Sequence, residues 1–276
     1  MIFDKFKITG KVCVITGGAG LLGQKHAEAV IEGEGIPILL DISQEALNNA
    51  QTRLKRQYPS AEIGVYRVDI TKQSELERVR DELVKKYGRI DILINNAANN
   101  PKVEDKGDNF GNIRFDNFPL EIWNADILVG LTGAFLCAKV FGMVMEQSKS
   151  GVLLNISSDL GIIAPDQRIY RKEGLEEAEQ TIKPVTYSVI KHGLLGLTKY
   201  LATYWADKGI RVNAVCPGGI YNGQDEQFLA KLTSLIPMGR MADKDEYKAT
   251  VLYLISDASS YMTGSTIIVD GGRTCW

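Results

Sequence analysis

Tyr187 and Lys191 stand four apart in the stretch TYSVIKHG, a spacing that sets two side chains one above the other on a helix. Such a pair can move protons. A phenol with an ordinary pKa near 10 is a poor base at neutral pH, but a neighbouring ammonium favours the phenolate. Tuned in this way, Tyr187 can take a proton from an alcohol, or return one to a ketone, while hydride moves to or from a nicotinamide. The spacing alone is common on helix surfaces. Here it follows an apolar run ending LLNISSD, which places Ser157 and Ser158 at the carboxyl end of an expected strand.

A second stretch, TGGAGLLG at 16–23, follows the apolar run KVCVI and opens a helical pattern. Glycines at 17, 20 and 23 suit a loop whose backbone must turn tightly and approach a pyrophosphate closely. A helix starting near Leu22 would aim its free N–H groups and its dipole at that anion. Asp41 ends the next apolar run, IPILLD, 18 residues past Gly23. That is close to the ~20 expected of a carboxylate that binds the adenosine ribose hydroxyls. A carboxylate there would repel a 2′-phosphate, and no arginine stands beside Gly18, Ala19, Ile42 or Ser43 to accept one. The expected cofactor is therefore NAD rather than NADP. An N-cap role for Asp41 at the Ser43 helix is compatible with either.

These groups need a scaffold that brings strand ends together. Short β-branched runs at Val12–Thr16, Ile36–Asp41, Ile63–Asp69, Ile90–Asn95, Val152–Ser157, Arg211–Cys216 and Thr266–Val269 read as strands. Between most of them lie helical patterns such as Gln44–Gln57, Gln73–Tyr87 and Leu120–Glu146. The alternation predicts a Rossmann-type α/β fold, a doubly wound parallel sheet with helices on both faces. No linker-like tract interrupts it, so a single domain over 1–276 is expected. Two polar stretches, 99–118 and 161–184, each follow the carboxyl end of an expected strand, where open α/β sheets bind ligands. Loops of that length tend to be functional or disordered.

Composition narrows the partners. Hydrophobic content of 45% and charged content of 24% are ordinary for a globular protein. A net charge of −2 with mixed signs gives no field for nucleic acid or an anionic membrane. By inspection no apolar run approaches the ~18 residues that span a bilayer, so a cytoplasmic protein is expected. Cys13, Cys137, Cys216 and Cys275 show no C-x-x-C pair. With only His26 and His192 beside them, no metal site is expected.

Further short motifs stand in a fixed order around these residues: Asp69 with Ile70, NNAA at 95–98, NISS at 155–158, CPGGI at 216–220 and MTGSTIIVDGG at 262–272. With them the chain resembles the short-chain dehydrogenase/reductase family nearly end to end. The resemblance implies that Ser158 orients the substrate oxygen and that Tyr187 is the acid/base. Lys191 would lower the tyrosine pKa and hold the nicotinamide ribose. It further implies cofactor contacts at Gly17, Gly20, Leu22, Gly23, Asp41 and Ile42, and at Asp69 and Ile70 beside adenine. Asn96, Ala97, Pro217, Gly218 and Ile220 would complete them on the nicotinamide side. Most relatives are homodimers or homotetramers, and the apolar Leu120–Met145 and Val185–Tyr204 helices fit that expectation. Tyr170 is set aside as a base, because Gly174 stands four residues on.

The chain departs from the family pattern in four places. The G-x-x-G-x-x-G spacing belongs to a longer branch that includes sugar-nucleotide epimerases. Yet this chain stops just after VDGG, as the short one-domain members do. In that reading Leu21 takes the middle glycine's seat and Gly20 supplies the missing backbone freedom. Gly130 stands where the family's fourth catalytic residue, an asparagine, holds a relay water, and the seat is expected to be empty. Asn222 replaces a threonine that reaches the cofactor carboxamide. Finally, Ser158 and Tyr187 are 29 residues apart, a longer interval than usual, so 161–184 contains an insertion beside the site.

That insertion carries Asp166, Gln167, Arg168, Arg171 and Lys172. A pocket for a steroid or acyl chain would want apolar lining, so a polar substrate is expected: a sugar, polyol or sugar phosphate. Arg168 could bind a carboxylate or phosphate in bidentate fashion. A solvated surface loop would explain the same residues. The APDQRIY…KP arrangement is also similar to members of flagellin and surface-glycan sugar pathways and to gluconate 5-dehydrogenases. Two alternatives stay open: a 3-oxoacyl thioester reductase, and an NAD-binding subunit without catalysis, which Gly130 would suit.

Overall fold

The computed structural model describes residues 1–99 and 114–276. Most of the expected stretch 99–118 thus lies outside the described residues. Seven strands form one sheet in the order β3-β2-β1-β4-β5-β6-β7, every neighbouring pair parallel. They are β1 (Val12–Thr16), β2 (Ile36–Asp41), β3 (Gly64–Arg67), β4 (Ile92–Asn95), β5 (Gly151–Ile156), β6 (Ile210–Pro217) and β7 (Thr266–Val269). The doubly wound Rossmann-type sheet is as expected. β3 and β4 are shorter than their apolar runs: Ile63, Val68 and Ile90 lie just outside the assigned strands yet are buried, and the Val68 N–H still donates to the Asp41 carbonyl at 2.9 Å.

Alternate strand residues feed two cores, as the two-residue period of a strand requires. Val12, Val14, Ile38, Leu40 and Leu93 pack on one face against α3 (Gln73–Tyr87) and α5 (Gly133–Ser148), through Leu76, Val79, Phe141 and Met145. Cys13, Ile15, Leu39, Ile92 and Ile94 pack on the other face. There they meet α1 (Leu21–Glu32), α2 (Gln44–Gln57) and α8 (Lys248–Ile255), through Ala27, Val30, Leu47, Leu54 and Val251. The second face of the nucleotide half is thereby closed.

The Leu120–Glu146 pattern is not one uniform helix. It runs as α4 (Leu120–Ile127), a π-helical turn at Leu128–Thr132 and α5. The whole span Leu120–Ser148 is, in fact, long and apolar enough to cross a membrane by composition, which corrects the reading from inspection. Its apolarity has a local use here: Cys137, Ala138, Phe141 and Met145 are fully buried beneath the sheet. π-turns mark places where a helix is rebuilt, often at functional sites, and this one contains the buried Gly130.

The 161–184 segment is ordered as a cap. It folds through short 3-10 turns at Gln167–Tyr170 and Glu177–Glu179 before entering α6 (Val185–Tyr204). Ile169 is buried with Leu232, Ile236 and Met241 in a small separate core against α7 (Glu226–Thr233). The buried Gln180 amide ties the loop together, donating to the Lys172 and Leu175 carbonyls and accepting from the Lys172 N–H at 2.8 Å. A freely solvated loop would have neither feature.

Candidate active site

The sheet order reverses between β1 and β4, and in open α/β sheets ligands bind at that reversal. The two strand ends are locked together here. The Thr16 hydroxyl accepts the N–H groups of Asn96 and Ala97 at 3.0 and 3.1 Å, and the Asn96 amide donates to the Thr16 and Gly17 carbonyls. A cavity of about 650 Å³ runs from this point across the carboxyl ends of the strands, within the ~300–1,000 Å³ typical of small-molecule sites.

One end of the cavity is built from the glycine loop. Gly17 adopts a left-handed φ of +60°, and a Cβ there would meet the Ala97 Cα at 2.9 Å. A Cβ on Gly23 would fall 2.2 Å from the Gly17 carbonyl oxygen, so only glycine lets α1 start this close to the turn. Gly20, the N-cap of α1, has φ −71°. It does not supply left-handed freedom; that resides in Gly17. No side chain caps the helix, which starts at Leu21, so backbone N–H groups are left for an anion. Asp41 lines the same end, its carboxylate accepting from the Ala19 N–H at 3.3 Å and the Ser43 N–H at 3.2 Å. The N-cap of α2 is Ser43, whose hydroxyl accepts from Ala46.

Gly17, Gly20, Leu22, Asp41, Asn96, Ala97, Pro217, Gly218 and Ile220 all line the cavity. Four others in the expected cofactor set do not line it. Gly23 packs beneath the loop, Ile42 is exposed, and Ile70 is buried against Gly133. Asp69 turns its carboxylate onto the Thr71 N–H and hydroxyl, which hold it below the usual carboxylate range.

The other end holds the serine, tyrosine and lysine side chains singled out from the sequence. Ser157 and Ser158 follow β5, Tyr187 and Lys191 lie one turn apart on α6, and the cavity touches all four. The Ser157 hydroxyl donates to the Lys191 carbonyl at 2.7 Å, fastening α6 to the strand end. Lys191 is buried and donates through Nζ to the Ile156 carbonyl at 2.9 Å. Burial, with Lys183 nearby, pushes its ammonium down to about 8. Burial also pushes the Tyr187 phenol up from its ordinary value, opposed by a hydrogen bond with Ser158 and aided by the Asp159 charge. The lowered phenol pKa expected from lysine proximity is therefore not a property of this arrangement alone.

Sequence reasoning missed a second cation. Lys183, on the way into α6, places Nζ 3.9 Å from the centre of the Tyr187 ring, nearer than Lys191 at 5.6 Å. Burial holds it at about 8 as well. Gln167 fixes its backbone, accepting its N–H at 2.9 Å and donating to its carbonyl at 3.3 Å. Tyr170, set aside as a base, lines the substrate end beside Phe228, ring centres 5.5 Å apart. Arg168 does not line the cavity. Its side chain is 83% exposed and forks onto Asp166 at 2.7–3.2 Å. The bidentate geometry was legible, but its carboxylate is its own neighbour.

Gly130 faces α6. A Cβ there would meet the Ile190 side chain at 2.7 Å, so the asparagine's seat is filled rather than empty. Asn222 lines the cavity as a hydrogen-bonding replacement for threonine.

A parallel sheet with a glycine cradle at its reversal and a Ser–Tyr–Lys cluster at its substrate end defines a nucleotide-dependent oxidoreductase. A family model described as enoyl-(acyl carrier protein) reductase matches residues 17–274. The chain belongs to the short-chain dehydrogenase/reductase family. It is 34% identical to an NAD-dependent glycerol dehydrogenase of Listeria innocua, over 99% of this chain and 97% of the relative. It is 32% identical to an NADP-dependent mannitol dehydrogenase of Alternaria alternata, over 98% and 94%. A crystal structure of a gluconate 5-dehydrogenase from Burkholderia cenocepacia, in complex with NADP and tartrate, superposes with a TM-score of 0.83 at 26% identity over the full length of both chains.

Proposed function

We propose that the chain transfers hydride between NAD(H) and a secondary alcohol or ketone of a polyhydroxylated substrate, a sugar or polyol. The observation that carries this reading is the continuity of one cavity from Asp41 to Tyr187. The glycine cradle fits a dinucleotide pyrophosphate, since Gly17 and Gly23 let the turn pack closely against Ala97 and the start of α1, whose N-terminus no side chain caps. Asp41 offers a carboxylate to ribose hydroxyls and repels a 2′-phosphate, which supports NAD over NADP. Bound there, the nicotinamide would accept or donate the hydride. The chain's own residues handle the proton: Tyr187 takes it from the alcohol or returns it to the ketone, and Ser158 orients the oxygen. Lys191, held on the Ile156 carbonyl, places positive charge beside the phenol and favours its ionised form.

Glycerol, mannitol and gluconate, named for the similar proteins, are all polyhydroxylated, which supports the substrate class. Exposed Leu128, Phe135 and Met143 on the α4–α5 span and Val189, Tyr200 and Tyr204 on α6 support a homo-oligomer. A 3-oxoacyl thioester reductase is the second reading, favoured by the Ile169, Phe228, Leu232 and Met241 wall of the cavity. Progress curves with NAD and NADP against glycerol, mannitol, xylitol and gluconate test the first. Turnover of at least one with NAD is expected. No polyol turnover together with reduction of acetoacetyl thioesters would favour the second.

A further inference from the structure

Beneath Ser158 lies a buried ion pair that the reaction scheme does not use. The Ser158 hydroxyl donates to Asp159 Oδ1 at 2.7 Å, and the Leu160 N–H donates to the same oxygen at 2.8 Å. The other carboxylate oxygen faces an Arg273 guanidinium nitrogen at 3.3 Å. Residues 159 and 273 are only 3% and 7% exposed, yet both border the cavity. A carboxylate so withdrawn from water needs a partner, because an isolated buried charge is strongly unfavourable.

The chain is bent to deliver that partner. After β7, Gly271 and Gly272 take left-handed φ values of +67° and +89°. Asp270 staples the turn, accepting the Gly272 and Thr274 N–H groups at 2.9 and 2.7 Å. A Cβ on Gly272 would press on Pro237 at 3.0 Å. The VDGG motif thus turns the backbone so that the next residue, Arg273, points back under the catalytic serine.

We propose that Arg273 is a positioning residue for catalysis, holding the Asp159 carboxylate so that it orients the Ser158 hydroxyl and offsetting its charge beside Tyr187. The proposal rests on Tyr187 being the acid/base. The Ser158 proton is directed at Asp159 and its oxygen also takes the Leu160 N–H at 3.2 Å, so these two contacts fix how the hydroxyl faces the phenol and the substrate oxygen. The charged and titratable groups around Tyr187 are Asp159 beneath it, Lys183 and Tyr170 from the cap, Lys191 on its own helix and Arg273 behind Asp159. An uncompensated Asp159 would disfavour the phenolate, so alcohol oxidation would need a higher pH.

Arg273→Met, Arg273→Lys, Asp159→Asn and the double variant Arg273→Met/Asp159→Asn test this. Tyrosinate absorbance is titrated with the Tyr187→Phe signal subtracted, and kcat for polyol oxidation is followed against pH. Arg273→Met is expected to move the Tyr187 titration and the rising limb of kcat upward by about one pH unit. Oxidation near pH 7 then falls about tenfold, with NAD affinity within a few-fold. Arg273→Lys should recover most of the loss. The double variant keeps an acceptor for Ser158 without the charge and should return the titration close to wild type. A wild-type titration in Arg273→Met, or no return in the double variant, overturns the proposal. If the wild type oxidises no polyol, the substrate reading fails, while the tyrosinate titration still decides the role of Arg273.

Discussion

Gly130 and Ile190 occupy each other's space: a Cβ on the glycine would fall 2.7 Å from Ile190 Cγ2 and 2.9 Å from its Cδ1. The π-turn of Leu128–Thr132 brings this glycine against α6 one residue before Lys191. Ile190 is β-branched and stiff at χ1, so it cannot swing clear without moving the helix that carries Tyr187 and Lys191.

Gly130→Asn is therefore expected to be destabilised by about 1–3 kcal/mol, the usual cost of overpacking a core. It should also be slower, since strain on α6 reaches Lys191. Thermal denaturation and kcat of Gly130→Asn alone and with Ile190→Ala check this. A Gly130→Asn protein as stable and active as wild type would mean that the seat is open after all.

Asp41→Ala should narrow the preference for NADH over NADPH by roughly 1–3 kcal/mol, the scale of a charge-assisted hydrogen bond. Fluorescence titration with both cofactors measures it. Equal affinities in the unaltered protein would remove Asp41 as the discriminating group.

Tyr187→Phe should abolish turnover and leave NADH affinity within a few-fold, because only the proton-transfer group is lost. Retention of more than about a tenth of kcat would assign the base elsewhere.

Lys191→Met should be inactive yet more stable than wild type near neutral pH. Burial lowers the lysine from 10.5 to about 8, so its charged form opposes folding wherever both folded and unfolded states are protonated. Below pH 8 that cost is fully present, at most ~3 kcal/mol at ~1.4 kcal/mol per unit. Between 8 and 10.5 the unfolded state holds more protons, so wild-type stability rises and the advantage of the variant shrinks. Denaturant melts at pH 7 and 10 give the two values. A variant less stable than wild type at pH 7 would show that the bond to the Ile156 carbonyl outweighs the burial cost.

Ile169→Ala should raise KM for the substrate several-fold with NADH affinity unchanged, because it loosens the cap from Leu232, Ile236 and Met241. Arg168→Ala should leave KM within twofold, its guanidinium being spent on Asp166 at the surface. Steady-state kinetics on both variants separates cap packing from surface charge, and the reverse ranking would restore Arg168 as a substrate contact.

What the sequence determined by itself was local. Strand and helix alternation follows from short-range periodicity, and the glycine loop, Asp41 and the Tyr187–Lys191 spacing are set by stretches of a few residues. Those features sufficed for the sheet, for its direction, and for naming strand ends that line the cavity. Tertiary structure decided what depends on residues far apart in the chain. Whether Gly130 leaves a hole depends on Ile190, which belongs to another helix. Whether a charge faces the substrate or its own neighbour depends on how the cap folds, which turned Arg168 outward and brought Lys183 onto Tyr187. Arg273 reaches Asp159 only because two left-handed glycines reverse the chain after the last strand. Close packing and burial fix such contacts, and no periodicity along the chain encodes them.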